Sequence, residues 1–197
     1  MTTKPPLQLY LIRHGETAWS ISGQHTGRTD IPLTSNGMDQ ARKLGPYLQN
    51  IAFFKVLMSP LLRARQTCAL VEMDLAPEID TDLIEWNYGE YEGRRTADIH
   101  KERPDWTIFR DGCPHGEMPV QVAERADRLI ARLRLLHGNI ALFSHAQFGG
   151  VLAARWIGLP LAEAGHFPLG TASLSILGYD QHHPEVAVIA TWNAFVL

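Results

Sequence analysis

The chain has 197 residues, enough for one domain over 1–197 with a sizeable core. Hydrophobic residues make up 45% and charged residues 20%, the balance of an ordinary globular protein. A formal net charge of −3 argues against a nucleic-acid surface, and no stretch approaches the roughly 20 apolar residues of a membrane span.

Met1 to Pro6 is short and polar and lacks the apolar segment of a signal peptide. The only cysteines, Cys68 and Cys113, are too few for a disulfide framework. Both observations predict a cytoplasmic protein with free thiols. Leu7 to Ile12 is a continuous apolar run, as expected of a strand buried on both faces. Gly15 to Pro32 has no period and reads as an ordered loop, a length that usually serves function. Asn36 to Gln49 carries Met38, Ala41, Leu44 and Leu48 at helical spacing, with Ser35 or Asn36 as its cap.

Phe53 to Met58 reads as a second strand, and Ser59-Pro60 opens a helix. Ile79 to Leu83 is expected to be a short strand, followed by an irregular acidic and aromatic stretch to Gly93. Thr96 to Glu102 suits a short helix, and Arg103 to Pro119 a charged loop. Val120 to His137 has one apolar stripe, with Glu124, Arg125, Asp127, Arg128 and Arg132 off it. The strand Asn139 to Phe143 and a helix from Gln147 to Ile157 follow, then strands Ser173 to Leu177 and Val186 to Thr191. Strands alternating with helices predict an α/β three-layer sandwich, its central sheet mostly parallel and covered by helices on both faces.

In such a sheet the loops after each strand gather on one edge, where ligands bind. Arg13 and His14, the Ser59 to Arg63 segment, and His145 all leave strands there. A neutral imidazole is a competent nucleophile toward phosphorus. Guanidinium groups match phosphate in forked geometry and stay charged. His14 is therefore the candidate nucleophile, with Arg13 and Arg63 as phosphate donors and His145 as a further donor if protonated. The nine histidines include no His-Glu-x-x-His pattern and no pairing with cysteine at zinc spacing. No metal and no cofactor is expected.

The chain resembles the histidine phosphatase superfamily, also called phosphoglycerate-mutase-like. Leu11-Ile12-Arg13-His14-Gly15-Glu16-Thr17 is similar to its signature, and Ser59 to Thr67 to its second arginine motif. Glu85-Trp86-Asn87-Tyr88-Gly89 resembles its acidic motif, and Ser144-His145 its second histidine. The resemblance implies that His14 is phosphorylated, that Arg13, Arg63 and His145 hold the phosphoryl group, and that Glu85 gives a proton to the leaving oxygen. Apolar Leu83, Ile84 and Trp86 beside Glu85 suit an acid working near neutrality. Ser20, Thr26, Gly27, Tyr88, Ala146 and Gln147 are the further candidates for substrate contact. Ser20 stands where the family commonly has Asn, and Ala146 where Gly is usual.

The arginine-rich insert of the family's mutases has no counterpart here, so the resemblance implies a phosphatase of small phosphate esters, sugar phosphates or bisphosphates. A phosphoglycerate mutase is the alternative, and a phosphate-binding module without catalysis is a third reading. Lys101, Arg103 and Arg110 either grip a second anionic group of the substrate or belong to a solvated loop. The apolar end Ala194-Phe195-Val196-Leu197 fits a homodimer contact or a segment packed on its own sheet.

Overall fold

Alternate burial along the short apolar runs decides the architecture. The computed structural model describes residues 5–195. Its strands are β1 (Gln8–Arg13), β2 (Phe53–Met58), β3 (Glu78–Ile79), β4 (Asn139–Ser144), β5 (Leu174–Tyr179) and β6 (Ala187–Ala194). Its α-helices are α1 (Ala18–Ser22), α2 (Ser35–Leu48), α3 (Leu62–Val71), α4 (Thr96–Glu102), α5 (Ile108–Asp111), α6 (Pro119–Leu133) and α7 (Ala146–Trp156). Leu9 and Leu11 of β1 enter one apolar core with residues of α6 and α7. Tyr10 and Ile12, one residue out of phase, enter a second core with Leu44, Leu48, Cys68 and Val71 of α2 and α3. A strand with both faces buried needs a helical layer on each side, and the three-layer sandwich follows.

The sheet order is β3-β2-β4-β1-β5-β6. Neighbours from β3 to β1 are parallel, whereas β5 lies antiparallel to both β1 and β6. Register places Arg13 opposite Ser144 and Met58 opposite Phe143, so three parallel strands end level with one another. None of the helices is long and apolar enough to cross a membrane, among the described residues.

Several local expectations are corrected. The strand expected over Ile79 to Leu83 is confined to Glu78–Ile79, and a 3-10 turn covers Thr81–Leu83. Asp80 causes this, because its side chain accepts the Asp82 N–H and draws the backbone off the ladder. The helix after β2 begins at Leu62 rather than at Pro60, since the Ser59 N–H is still donated to Phe143 of β4. Thr34, not Ser35 or Asn36, caps α2 by accepting the Gly37 N–H. The Gly15 to Pro32 loop contains α1, closed by a Thr17–Ser20 capping box and by Gly23 in the left-handed region. The Arg103 to Pro119 loop contains α5. α6 stops at Leu133, four residues before His137, as Leu135 and Leu136 turn to i−3 hydrogen bonds. Two of the apolar terminal residues, Val196 and Leu197, lie outside the described residues, and Phe195 is exposed.

The turn after β1 is held by a close approach of two glycines. A Cβ at Gly15 would run into the Gly37 carbonyl, and a Cβ at Gly37 into the Glu16 carbonyl. Gly15 also donates its N–H to Thr67 Oγ1 at 3.0 Å, and Thr67 in turn donates to the Arg63 carbonyl at 2.8 Å. Gly37→Ala forces the His14 turn away from α2 and is expected to destabilise the fold by about 1–3 kcal/mol, the usual cost of overpacking. Urea unfolding measures this, and an unchanged midpoint would show that the approach is not tight.

Candidate active site

His14 is pinned before its ring is placed. Its N–H donates to the Ser144 carbonyl at 3.1 Å, and its carbonyl accepts from Ala172 at 3.0 Å. Ring Nδ1 lies 2.8 Å from the Gly15 carbonyl oxygen. A carbonyl can only accept, so Nδ1 carries the hydrogen and Nε2 keeps a bare lone pair. Burial lowers the pKa of this ring well below the ordinary histidine value, and the charges of Arg13 and Arg63 lower it further. The ring is therefore neutral and nucleophilic.

Arg63 is fully buried. Its Nη1 donates to Thr29 O at 3.1 Å, and its Nη2 to Thr26 O at 3.2 Å and Gly27 O at 2.9 Å. Arg13 donates from Nη1 to the Leu169 carbonyl. Arg13 Nε, Arg63 Nε and His145 Nδ1 are buried without a partner. A buried donor left unpaired costs about 1–3 kcal/mol. These three atoms belong to the three predicted phosphate ligands. The fourth such atom, Ser173 Oγ, belongs to the residue whose carbonyl accepts the Arg13 N–H at the same sheet edge.

The His145 ring centroid lies 5.3 Å from that of His14. Its Nε2 is 2.7 Å from Ser59 Oγ, which already accepts the Leu61 N–H at 3.3 Å. Either partner can donate in this bond; donation by the Ser59 hydroxyl to Nε2 places the ring hydrogen on the unpaired Nδ1. Burial, followed by the charge of Arg63, drives the His145 pKa well below its ordinary value. Burial thus favours the neutral form of His145, and its hydrogen bond with Ser59 orients the ring.

Glu85 is buried and sits at the start of α7. Oε1 accepts the N–H groups of Trp86 at 2.8 Å and Phe148 at 2.9 Å, whereas Oε2 accepts only that of Gln147, at 3.1 Å. Oε2 keeps a lone pair for a proton. The segment carrying Glu85 is strapped by Arg125, whose Nη1 donates to Asp82 O at 2.9 Å and Ile84 O at 2.6 Å. Arg125 also pairs with Glu117 at 3.1 Å and lies 4.3 Å over the Phe148 ring. Its position off the apolar stripe of α6 gave no hint of this buried role.

A cleft of about 370 Å³ holds Arg13, His14 and Glu85, with Ser20, Thr26, Tyr88, Ala146 and Gln147 on its walls. Arg63 and His145 are outside its lining, and the His145 ring is tilted 57° to that of His14. Gly27 is not in the lining either. Its N–H, expected to face substrate, is donated to Glu92, and its carbonyl takes Arg63. The Ser20 hydroxyl is also committed, donating to Thr17 O at 2.9 Å and accepting the Thr17 N–H at 2.9 Å. Lys101, Arg103 and Arg110 do not line the cleft. Lys101 pairs with Asp98 at 2.7 Å, Arg110 with Asp111 at 2.9 Å, and Arg103 donates to Tyr91 Oη at 3.3 Å. Phe109 and the Ala164 to Leu169 segment line the cleft and have no signal in the sequence. Among the described residues, no group of three or more His, Cys, Asp or Glu could hold a metal ion.

Residues 9–192 match the sequence model of the histidine phosphatase superfamily, branch 1. The chain belongs to this family. It is similar to an acid phosphatase of Mycobacterium tuberculosis, 40% identical over 187 residues, covering 92% of this chain and 91% of the relative. It is also similar to the sedoheptulose 1,7-bisphosphatase of Saccharomyces cerevisiae, 39% identical over 184 residues, covering 76% of this chain and 67% of that one. A solved structure of an open reading frame product from Mycobacterium tuberculosis superposes with a TM-score of 0.89 at 36% identity, covering 96% of this chain and 98% of that chain. The enzyme is a phosphoric monoester hydrolase of the histidine phosphatase family.

Two outcomes follow from the buried imidazoles. His14, His25 and His145 are all held neutral, and burial takes His25 from 6.5 down to about 4. The unfolded chain takes up these protons and the folded one does not. Stability is therefore complete above pH 6.5 and falls as pH drops from there toward about 4. The urea midpoint across that window is the measurement, and a flat profile would contradict it. Ser59→Ala removes the tautomer control and is expected to lower kcat about tenfold, the worth of one buried hydrogen bond. An undiminished kcat would show that another group orients His145.

Proposed function

We propose that this chain hydrolyses small phosphate monoesters, working as a single catalytic domain over residues 1–197, without a metal or other cofactor, through a phosphohistidine on His14. The observation that carries the reading is the tautomer of His14: Nδ1 is tied to the Gly15 carbonyl, and Nε2 alone is left to attack. Nε2 forms a bond to phosphorus as the ester P–O bond breaks. The leaving alkoxide takes its proton from Glu85 Oε2. Arg13, Arg63 and the Nδ1–H of His145 take the charge on the equatorial oxygens, where preorganised donors stabilise a transition state most. Glu85, now a carboxylate, removes a proton from water. That water attacks phosphorus, the P–N bond breaks, and inorganic phosphate leaves with His14 neutral again.

The named relatives support hydrolysis and leave the substrate broad, since one is an acid phosphatase and the other a sugar bisphosphatase. Sugar phosphates and bisphosphates are within that class. Cys68 and Cys113 are free, and burial raises both thiols to about 12, which makes them inert as nucleophiles. Free thiols support a cytoplasmic place of action.

Rapid quenching with a phosphorus-labelled ester tests the reading. An acid-labile, alkali-stable phosphoprotein is expected in the wild type and absent in His14→Asn. Glu85→Gln is expected to slow turnover by about 10²–10⁴, the usual worth of a general acid. Turnover should persist in EDTA. Labelling that survives in His14→Asn, or activity that EDTA abolishes, would overturn the mechanism.

A further inference from the structure

The wall of the cleft beyond the phosphate seat is aromatic and almost without charge. Trp19, His25, Tyr88, Phe109, Phe167 and Leu169 all contribute to it. Each of three rings is backed by another: His25 stacks on Tyr88 at 4.5 Å and 13°, Phe109 meets Trp86 edge-on at 6.0 Å, and Phe167 meets Trp192 edge-on at 5.5 Å. Trp19 lies over Gly93, where an added Cβ would come within 3.1 Å of its ring. Rings fixed from behind need little ordering when a ligand arrives. Partly exposed aromatics converging on one cleft also mark a ligand surface.

The charges are as telling as the rings. Among the described residues that line the cleft, the side chains of Arg13 and Glu85 are the only Arg, Lys, Asp or Glu. Both are engaged by the reacting phosphate and its leaving oxygen. His25 supplies no cation, since its burial keeps it neutral down to about pH 4. Two cations outside the lining have carboxylate partners, Arg94 with Glu102 at 2.6 Å and Arg28 with Glu117 at 3.6 Å, while Arg95 lies on the strand bridge to Gln24 without lining the cleft. A second phosphate or a carboxylate on the substrate would enter this wall with no cation to meet it, at a desolvation cost that nothing repays.

We infer that the preferred substrate is a phosphate monoester with a single phosphate, whose leaving alcohol is uncharged and carries a flat apolar ring that packs against Trp19, His25, Phe109 and Phe167. This rests on the phosphatase reading above and narrows it against bisphosphates and phosphoglycerates.

Phenethyl phosphate, glucose 6-phosphate and fructose 1,6-bisphosphate all release primary alkoxides, so their intrinsic reactivities are matched. The kcat/KM for phenethyl phosphate is expected to exceed that for the bisphosphate by at least about tenfold, with the neutral sugar ester between them. Phenethylphosphonate should compete more tightly than inorganic phosphate with wild-type enzyme. Phe167→Arg, which puts a cation on the wall, is expected to raise kcat/KM for the bisphosphate and to lower it for the phenethyl ester. Equal or better turnover of the bisphosphate by the wild type would overturn the inference while leaving the phosphatase reading intact, provided that turnover is lost in His14→Asn. No turnover of any of the three, or turnover that survives in His14→Asn, would instead overturn the reading itself.

Discussion

A buried guanidinium, Arg63, and a half-buried one, Arg13, beside two buried imidazoles are the constraint on which this structure depends. Burying a cation is tolerable only where carbonyls or anions replace its water. Arg63 meets that requirement with three carbonyls from the Thr26 to Thr29 turn, and Arg13 with one from Leu169. Each still keeps Nε unpaired. The loops that supply those carbonyls are therefore ordered by the arginines they serve. Burial, and after it these same charges, lower the His14 pKa, so the arrangement that holds the arginines also favours a neutral imidazole beside them.

Glu85, the proposed proton donor, is organised by another buried cation, Arg125. Arg125 does not line the cleft, yet it holds the carbonyls of Asp82 and Ile84 and pairs with Glu117. Glu117 in turn accepts the Asn87 N–H at 2.8 Å, and its carbonyl takes the Trp86 indole N–H at 2.9 Å. Residues on both sides of Glu85 are thus fixed to α6 and its approach. The first turn of α7 completes the seat with two N–H groups. Two N–H donors on Oε1 and one on Oε2 fix the carboxyl group and leave Oε2 with the less occupied lone pairs.

The sheet edge explains why so few residues carry so much. β1, β2 and β4 end at one level, and the residues just beyond them are Arg13 and His14, Ser59, and His145. Their positions are set by backbone hydrogen bonds between strands, so the reacting groups sit on rigid elements. The aromatic wall comes instead from helices and turns that cover the edge, and its chemistry is free to differ while the edge stays the same.

Much of this was legible in the sequence, for a physical reason. Strand periodicity and the alternation with helices are local properties that determined the sandwich; a histidine or arginine after a strand marked Arg13, His14, Arg63 and His145 as candidates, and Glu85 came from the resemblance to the family. What only the tertiary structure decided depends on partners far apart in the chain. The hydroxyl of Ser20 and the N–H of Gly27 look available in sequence, yet Thr17 takes the first and Glu92 the second. Arg125 looks like a surface charge until Asp82, Ile84 and Glu117 fold around it. Lys101 and Arg110 look poised for an anion until their own neighbours neutralise them away from the cleft. Sequence shows which groups a chain owns; which of them remain unpaired at the cleft is settled only when every hydrogen bond has been formed.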